Sequence, residues 1–116
     1  MEAEIIRMTL DLYNGDSNAC GLVTSGGTES LFLAMLAYRE QGRKKGITRP
    51  NVVCSQATHV AIDKAAFYLN MEVRKVPMLE DFSCNIHGII QEIDSNTVCI
   101  IGSAPEYPFG RYDPMP

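Results

Sequence analysis

The 116-residue sequence lacks an excess of positive charge, since 10 Lys and Arg residues face 14 Asp and Glu residues for a net charge of -4. A nucleic-acid partner requires a basic surface that matches its phosphates, so the composition excludes that class of function. The basic run Arg43, Lys44 and Lys45 is local, and we interpret it as the solvated end of a helix.

The sequence also lacks a long apolar run. None reaches the roughly 18 residues that a membrane-spanning helix needs. The first residues, Met1 to Glu4, are acidic, which is the wrong charge for the start of a signal peptide. With 46% hydrophobic and 21% charged residues, the composition is typical of one soluble globular domain without a membrane segment.

Cysteine pairs with metal-ligand or redox spacing are absent. The four cysteines are far apart, and the two histidines, His59 and His87, show no ligand spacing with them. Because three of the cysteines lie in or beside apolar runs, the pattern favours buried free thiols in a reducing compartment, and it predicts no metal site. The cysteines are Cys20, Cys54, Cys84 and Cys99.

Two adjacent glycines, Gly26 and Gly27, stand between hydroxyl residues and directly before an apolar run. Extended chain, glycine turn and helix is the arrangement that directs free backbone N–H groups at an anion, most often a phosphate. Thr28 can add a hydroxyl donor. An ordinary capped helix explains the serines and threonines equally well at this point. The motif is neither a Walker loop nor GxGxxG.

Hydrophobic periodicity predicts short apolar strands that alternate with helices. This alternation indicates an α/β fold with a parallel or mixed sheet that helices cover on both faces. Ligands of such sheets bind beyond the carboxyl ends of the strands, where we expect the glycine turn and the loops around His59 and Ser103 to gather. The predicted helices are 3–13, 28–45, 60–69 and 86–93, and the predicted strands are 51–55, 72–76 and 97–101, with an extended or strand-like segment at 21–23.

Taken singly, the candidate side chains have ordinary explanations. His59, in a strand-to-helix loop, is more often a helix cap or a satisfied polar residue than a catalytic group. Ser103 follows the strongest predicted strand and could reach a ligand, although serine is common in turns. Neither a Ser-His-Asp arrangement nor a G-x-S-x-G elbow is present.

Five segments carry a resemblance to a known family. They are Met1–Met8, Cys20–Ser30, which reads CGLVTSGGTES, Ala37–Arg39, His59–Ala66, and Ser103–Gly110 followed by Asp113-Pro114. Together they resemble the sphingosine-1-phosphate lyase family. The wider group is the pyridoxal-phosphate-dependent carboxy-lyases, which includes glutamate and aromatic amino acid decarboxylases. The resemblance extends over essentially the whole chain, in order.

The resemblance implies the aspartate-aminotransferase-type fold (fold type I), in which a mostly parallel sheet forms a large cofactor domain. Residues 1–116 would then be part of that domain, with pyridoxal 5'-phosphate as cofactor. By the same resemblance, Gly26, Gly27 and Thr28 hold the cofactor phosphate, and His59 stacks over the pyridine ring. Ser103 places a hydroxyl near the ring or the substrate.

The implied activity is cleavage of a carbon–carbon bond in a phosphorylated sphingoid base, an amino alcohol, giving phosphoethanolamine and a long-chain aldehyde. The family also implies a homodimer. Two alternatives stay open. One is an amino acid decarboxylase on the same scaffold, and the other is a non-catalytic truncated derivative that only binds.

The sequence departs from the family pattern because two residues that the family needs for catalysis are not found in it. The lysine that forms the Schiff base and the aspartate that pairs with the pyridine nitrogen are expected downstream of Asp113-Pro114. No lysine here lies in the matching motif, so we expect an interior fragment without a catalytic residue, the N-terminal membrane anchor or the small C-terminal domain. Phe109 stands where many members have histidine. The implied location is intracellular: the endoplasmic reticulum membrane, facing the cytosol, if the full-length protein carries the anchor, and otherwise the cytoplasm.

Overall fold

The computed structural model describes residues 1–114, and the chain divides into two compact units. The first unit comprises Met1–Ser30, and the second begins at Leu31. Within the described residues, none of the helices combines the length and apolar character that a bilayer crossing requires.

The first unit contains helix α1, Glu2–Leu12, which agrees with the predicted helix 3–13 to within one residue at each end. Its first turn carries Glu2 and Glu4, whose charges suit the positive end of the helix dipole. After the helix, the N–H of Gly15 donates to the carbonyl of Leu10 at 2.7 Å, which closes the turn. The segment 21–23 forms no strand and leads without regular structure into the glycine turn.

Helix α2, Gly27–Lys44, confirms the predicted helix 28–45. Arg43 and Lys44 lie in its last turn, where cations complement the dipole, and Gly46 follows with φ of 84°. Its apolar first half is less buried than its composition indicates, because only Met35 is fully enclosed. Leu31, Phe32 and Leu36 are half-buried against the core of the second unit.

The second unit is built on a three-stranded sheet in which every pairing is parallel. Strand β1, Asn51–Ser55, lies in the centre and is buried along its whole length. Strands β2, Glu72–Val76, and β3, Thr97–Ile101, flank it. The three predicted strands are therefore confirmed, and so is a parallel α/β sheet.

Helices cover both faces of β1. Alternate side chains of a strand point to opposite faces. The Val52 side packs against α3, Ala61–Leu69, and the Val53 side packs near α4, Ile86–Glu92. Buried residues of the first cluster are Met35, Val52, Ile62, Ala65, Ala66, Leu69 and Met71, and those of the second are Val53, Val76, Cys84 and Ile89.

A polar network ties the amino ends of the strands together. Asn51, only 1% exposed, donates from Nδ2 to Asp94 Oδ1 at 2.9 Å and accepts at Oδ1 from the Thr97 hydroxyl at 2.8 Å. Arg74 of β2 donates to the other oxygen of Asp94 at 2.7 Å. The hydrogen bond from Asn51, followed by those from Asn96 N–H and Arg74, lowers the pKa of Asp94 to about 2.

We expect Asp94→Asn to destabilise the protein at neutral pH and to remove one component of its acid sensitivity. The pKa of Asp94 falls from 3.8 to about 2 on folding, so its stabilising effect is complete above 3.8 and is lost as the pH falls through about 2. Unfolding curves of both proteins across that range measure the effect. Parallel acid profiles for the two would contradict it.

We expect Gly42→Ala to destabilise the second unit although alanine favours helices by about 1 kcal/mol. A Cβ at Gly42 would lie 2.6 Å from Val98 Cγ1, and overpacking of this kind costs about 1–3 kcal/mol. Denaturant unfolding measures the loss. Val98→Ala in the same chain should recover part of it, whereas additive losses in the double variant would rule out the steric cause.

Candidate functional site

The turn that precedes α2, which we call the glycine turn (residues 24–30), is closed by its own side chains. The hydroxyls of Thr24 and Ser30 lie 2.6 Å apart, and Thr24 also donates to the Gly26 carbonyl at 3.0 Å. One carboxylate oxygen of Glu29 accepts both the N–H of Ser25 at 2.6 Å and its hydroxyl at 2.5 Å. Both bonds lower the pKa of the Glu29 carboxyl, and the bond from the Ser25 hydroxyl has the larger effect. The turn is therefore held in shape by hydrogen bonds among its own residues.

The first N–H groups of α2 remain open in this arrangement. Within residues 1–114, the backbone N–H groups of Gly26, Gly27, Thr28 and Glu29 have no hydrogen-bond acceptor. A helix of 18 residues adds the positive end of its dipole at the same place. Adjacent unsatisfied donors at a helix N-terminus bind phosphate or carboxylate groups.

Neither backbone strain nor packing within the described part of the chain requires the two glycines. Neither Gly26 nor Gly27 has a positive φ, so neither backbone conformation requires glycine. A Cβ at either position would meet no atom of the described residues within 4 Å, so packing does not require glycine either. Within a helix, glycine is less favourable than alanine, which applies to Gly27, whereas Gly26 stands at the N-cap position, where glycine is well tolerated. Unhindered access to the open N–H groups is the property that the missing Cβ atoms provide.

In the second unit, the loops after β1 and β3 leave the sheet at the same edge, because the two strands are parallel neighbours. His59 lies in the first of these loops and is exposed. Its Nδ1 accepts the N–H of Ala61 at 3.0 Å, so the neutral ring carries its proton on Nε2. This bond caps the start of α3 and fixes the orientation of the imidazole. Beside it, Thr58 is 7% exposed, and its hydroxyl has no partner within residues 1–114.

Ser103 lies two residues beyond β3 and is half-buried. Its N–H donates to Asp113 Oδ2 at 2.7 Å, and its carbonyl accepts the N–H of Asp113 at 2.9 Å. Its side-chain hydroxyl forms no hydrogen bond with the described residues. Sequence reasoning did not identify Asp113 as the partner of Ser103, because no local pattern connects residues ten positions apart.

The cysteines of the second unit are not reactive groups in this fold. Burial raises the pKa of the Cys54 and Cys84 thiols, and it raises the pKa of Cys99 to about 11. All four cysteines are free thiols, as the sequence predicts, although Cys20 is exposed. Because a thiol with a raised pKa is protonated at neutral pH, none of the three is a suitable nucleophile.

We expect His59→Ala to lose about 1 kcal/mol of stability, because the alanine cannot accept the N–H of Ala61. His59→Asn is the matched control, since its amide oxygen can accept the same bond. The free energy of unfolding of the two variants measures the capping role apart from any ligand. Equal losses in both would show that the cap does not stabilise α3.

Comparison with known proteins links this geometry to a family. The model of the pyridoxal-dependent decarboxylase conserved domain matches residues 1–106. Sphingosine-1-phosphate lyase 1 of Rattus norvegicus is 42% identical over 116 residues, which are all of this chain and 20% of the rat protein. The chain thus spans about a fifth of the length of that curated relative.

Solved structures extend the likeness to the fold. The sphingosine-1-phosphate lyase of Burkholderia pseudomallei matches with a TM-score of 0.90 and 36% identity, over 97% of this chain and 28% of that chain. The glutamate decarboxylase of Lactobacillus brevis matches with a TM-score of 0.84 and 26% identity, over 97% of this chain and 28% of that chain. The α/β fold is therefore that of pyridoxal-phosphate-dependent lyases and decarboxylases, which are enzymes with pyridoxal 5'-phosphate as cofactor.

Proposed function

Because the chain belongs to the pyridoxal-dependent decarboxylase family, we propose that it forms part of the cofactor domain of a pyridoxal-phosphate-dependent carbon–carbon lyase. The proposed substrate is a phosphorylated sphingoid base. The curated relatives named for this activity, from mammal, insect and yeast, are 37–45% identical along nearly the whole of this chain. The mammalian and insect relatives, at 42% and 45%, exceed the 38% of a probable L-tyrosine/L-aspartate decarboxylase of Methanothrix thermoacetophila, and this difference supports the lyase reaction.

The paired glycines are the observation that carries this proposal. Gly26 and Gly27 leave the first N–H groups of α2 uncovered, and no contact among residues 1–114 accounts for them. A cofactor phosphate would satisfy those donors and benefit from the helix dipole. In this proposal Thr28 contributes its N–H and its hydroxyl to the same phosphate. The residues present thus fit the anionic end of pyridoxal 5'-phosphate.

His59 and Ser103 are proposed to contact the ring and the reacting part of the substrate. The cap to Ala61 holds the imidazole of His59 in one orientation, which suits a side chain that covers a flat aromatic face and excludes water from it. The hydroxyl of Ser103 is free to donate to the ring or to the substrate, because only its backbone is engaged. When bound, pyridoxal phosphate supplies an electron sink for bond cleavage next to the amine.

We further propose that the family's cofactor-linking lysine and the aspartate at the pyridine nitrogen are not among these 116 residues. The four lysines here lie outside the expected motif, and one of them, Lys44, lies in the last turn of α2, where it complements the dipole. On this proposal residues 1–116 by themselves bind and orient but do not catalyse.

A decarboxylase is the second candidate. The solved glutamate decarboxylase shares the fold at a TM-score of 0.84, and the matching family model is named for decarboxylases. The complete protein separates the two, because a lyase releases an aldehyde from a phosphorylated sphingoid base and a decarboxylase releases carbon dioxide from an amino acid. A phosphate-binding module without catalysis, the third candidate, would release neither.

Replacing each glycine by alanine tests the phosphate site. Since the added Cβ meets no atom of the described residues within 4 Å, we expect Gly26→Ala and Gly27→Ala to fold normally. They should bind pyridoxal 5'-phosphate about tenfold or more weakly, because the methyl group obstructs the open N–H groups. Calorimetric titration of the complete protein measures the change.

Pyridoxal without its phosphate is the matched control ligand, and its affinity should be the same for the wild type and both variants. Circular dichroism and thermal melting verify that the variants fold. If both variants bind the phosphorylated cofactor as tightly as the wild type, the glycine turn is not the phosphate site.

A further inference from the structure

The segment from Ser103 to Asp113 is closed on itself by two buried carboxylates, although it contains no helix or strand. We call it the clasped loop. Asp113 and Glu106 are 8% and 4% exposed, respectively. A buried carboxylate is costly unless hydrogen bonds compensate it, so the partners of these two side chains show what holds the loop.

Asp113 closes the outer end of the clasped loop. Its Oδ2 accepts the N–H of Ser103 at 2.7 Å, and its own N–H donates to the Ser103 carbonyl at 2.9 Å. Both backbone groups of Ser103 are therefore engaged by one residue, while the Ser103 hydroxyl remains without a partner in residues 1–114. Asp113 therefore fixes the position of Ser103 through its backbone and leaves the Ser103 side chain free.

Glu106 closes the inner part of the same loop. Its carboxylate accepts the N–H groups of Phe109 at 2.9 Å and Arg111 at 3.0 Å, and its N–H donates to the Arg111 carbonyl at 2.9 Å. The inner clasp does not involve Ser103. It therefore provides an internal comparison for the effect of Asp113.

The clasped loop is also attached to the loop that follows β2. Phe109 stacks on Phe82 with ring centroids 4.4 Å apart and 14° between the planes. Arg111 Nη2 donates to the Asp81 carbonyl at 3.0 Å. The two loops therefore support each other at the edge of the sheet where β2 and β3 end.

We propose that Asp113 is a positioning residue, which holds Ser103 by its backbone so that the free hydroxyl can contact the cofactor ring or the substrate. The inference rests on the proposed function, because it assigns the Ser103 hydroxyl to that ligand. A hydrogen bond to a carboxylate is about twice as strong as one to a neutral acceptor, so the charge of Asp113 keeps the loop ordered before the ligand arrives.

A double-mutant cycle on the complete protein tests the coupling. Titration with pyridoxal 5'-phosphate measures cofactor affinity for the wild type, Ser103→Ala, Asp113→Asn and the double variant. Steady-state kinetics then gives kcat and KM separately for each protein. We expect each single change to weaken cofactor binding or raise KM by about tenfold, and the double variant to be little worse than either single one. Additive losses would overturn the role of Asp113.

Glu106→Gln is the matched control, since it weakens a buried carboxylate of the same loop without touching Ser103. Its effect should add to that of Ser103→Ala. If Glu106→Gln couples to Ser103→Ala as strongly as Asp113→Asn does, Asp113 has only a general structural role. Asp113→Asn keeps the side-chain volume and one acceptor oxygen, so it remains usable where Asp113→Ala does not fold.

Amide hydrogen exchange in the absence of cofactor tests the bond between Asp113 and the Ser103 N–H independently of ligand binding. Asp113→Asn should accelerate exchange of the Ser103 amide by about tenfold or more, whereas Glu106→Gln should act on Phe109 and Arg111. An unchanged Ser103 amide would refute the clasp. Failure of the wild-type protein to bind pyridoxal phosphate would refute the proposed function. If the wild type binds the cofactor but the losses of affinity in Ser103→Ala and Asp113→Asn are additive, only the positioning role is refuted.

Discussion

Parallel pairing of β1 with both neighbours is the constraint on which the second unit depends. It makes every strand end at the same edge and requires a crossover between successive strands. Helices α3 and α4 supply those crossovers and bury β1 from opposite faces. The loops that carry His59 and Ser103 therefore lie at one edge of the sheet, although the two residues are 44 positions apart in sequence. The arrangement of this edge follows from strand direction, not from local sequence.

Secondary structure could be predicted from the sequence because its signals are local. The β-branched run at 97–101 and the basic end of α2 each indicate an element without reference to the rest of the chain. Other features depend on partners distant in sequence. The segment 21–23 is apolar enough for a strand, yet it forms none, since a strand requires a neighbour to pair with. The apolar first half of α2 is mostly half-buried for a similar reason, because composition does not show how much of a helix its neighbours cover.

The candidate site also combines residues that local sequence predicts with contacts that only the three-dimensional structure shows. Gly26, Gly27 and Thr28 could be selected from sequence, because the anion-binding turn is a local motif. What the sequence could not provide was the argument against an ordinary capped helix, which needed the empty space around both glycines. The sequence interpretation of His59 as a helix cap is confirmed by its bond to Ala61, and its role toward a ring remains a proposal. Asp113 could be connected to Ser103 only in three dimensions.

The unpaired hydroxyl of Thr58 shows that the loop beside His59 is not built for maximum stability. A valine of nearly the same shape would fill the position without enclosing an unsatisfied polar atom. The fold therefore tolerates an energetic defect one residue away from its candidate ring-binding histidine. A hydrogen-bonding group that a ligand brought to this hydroxyl would recover that cost, so the defect is a reserve of binding free energy beside the candidate ring-binding histidine.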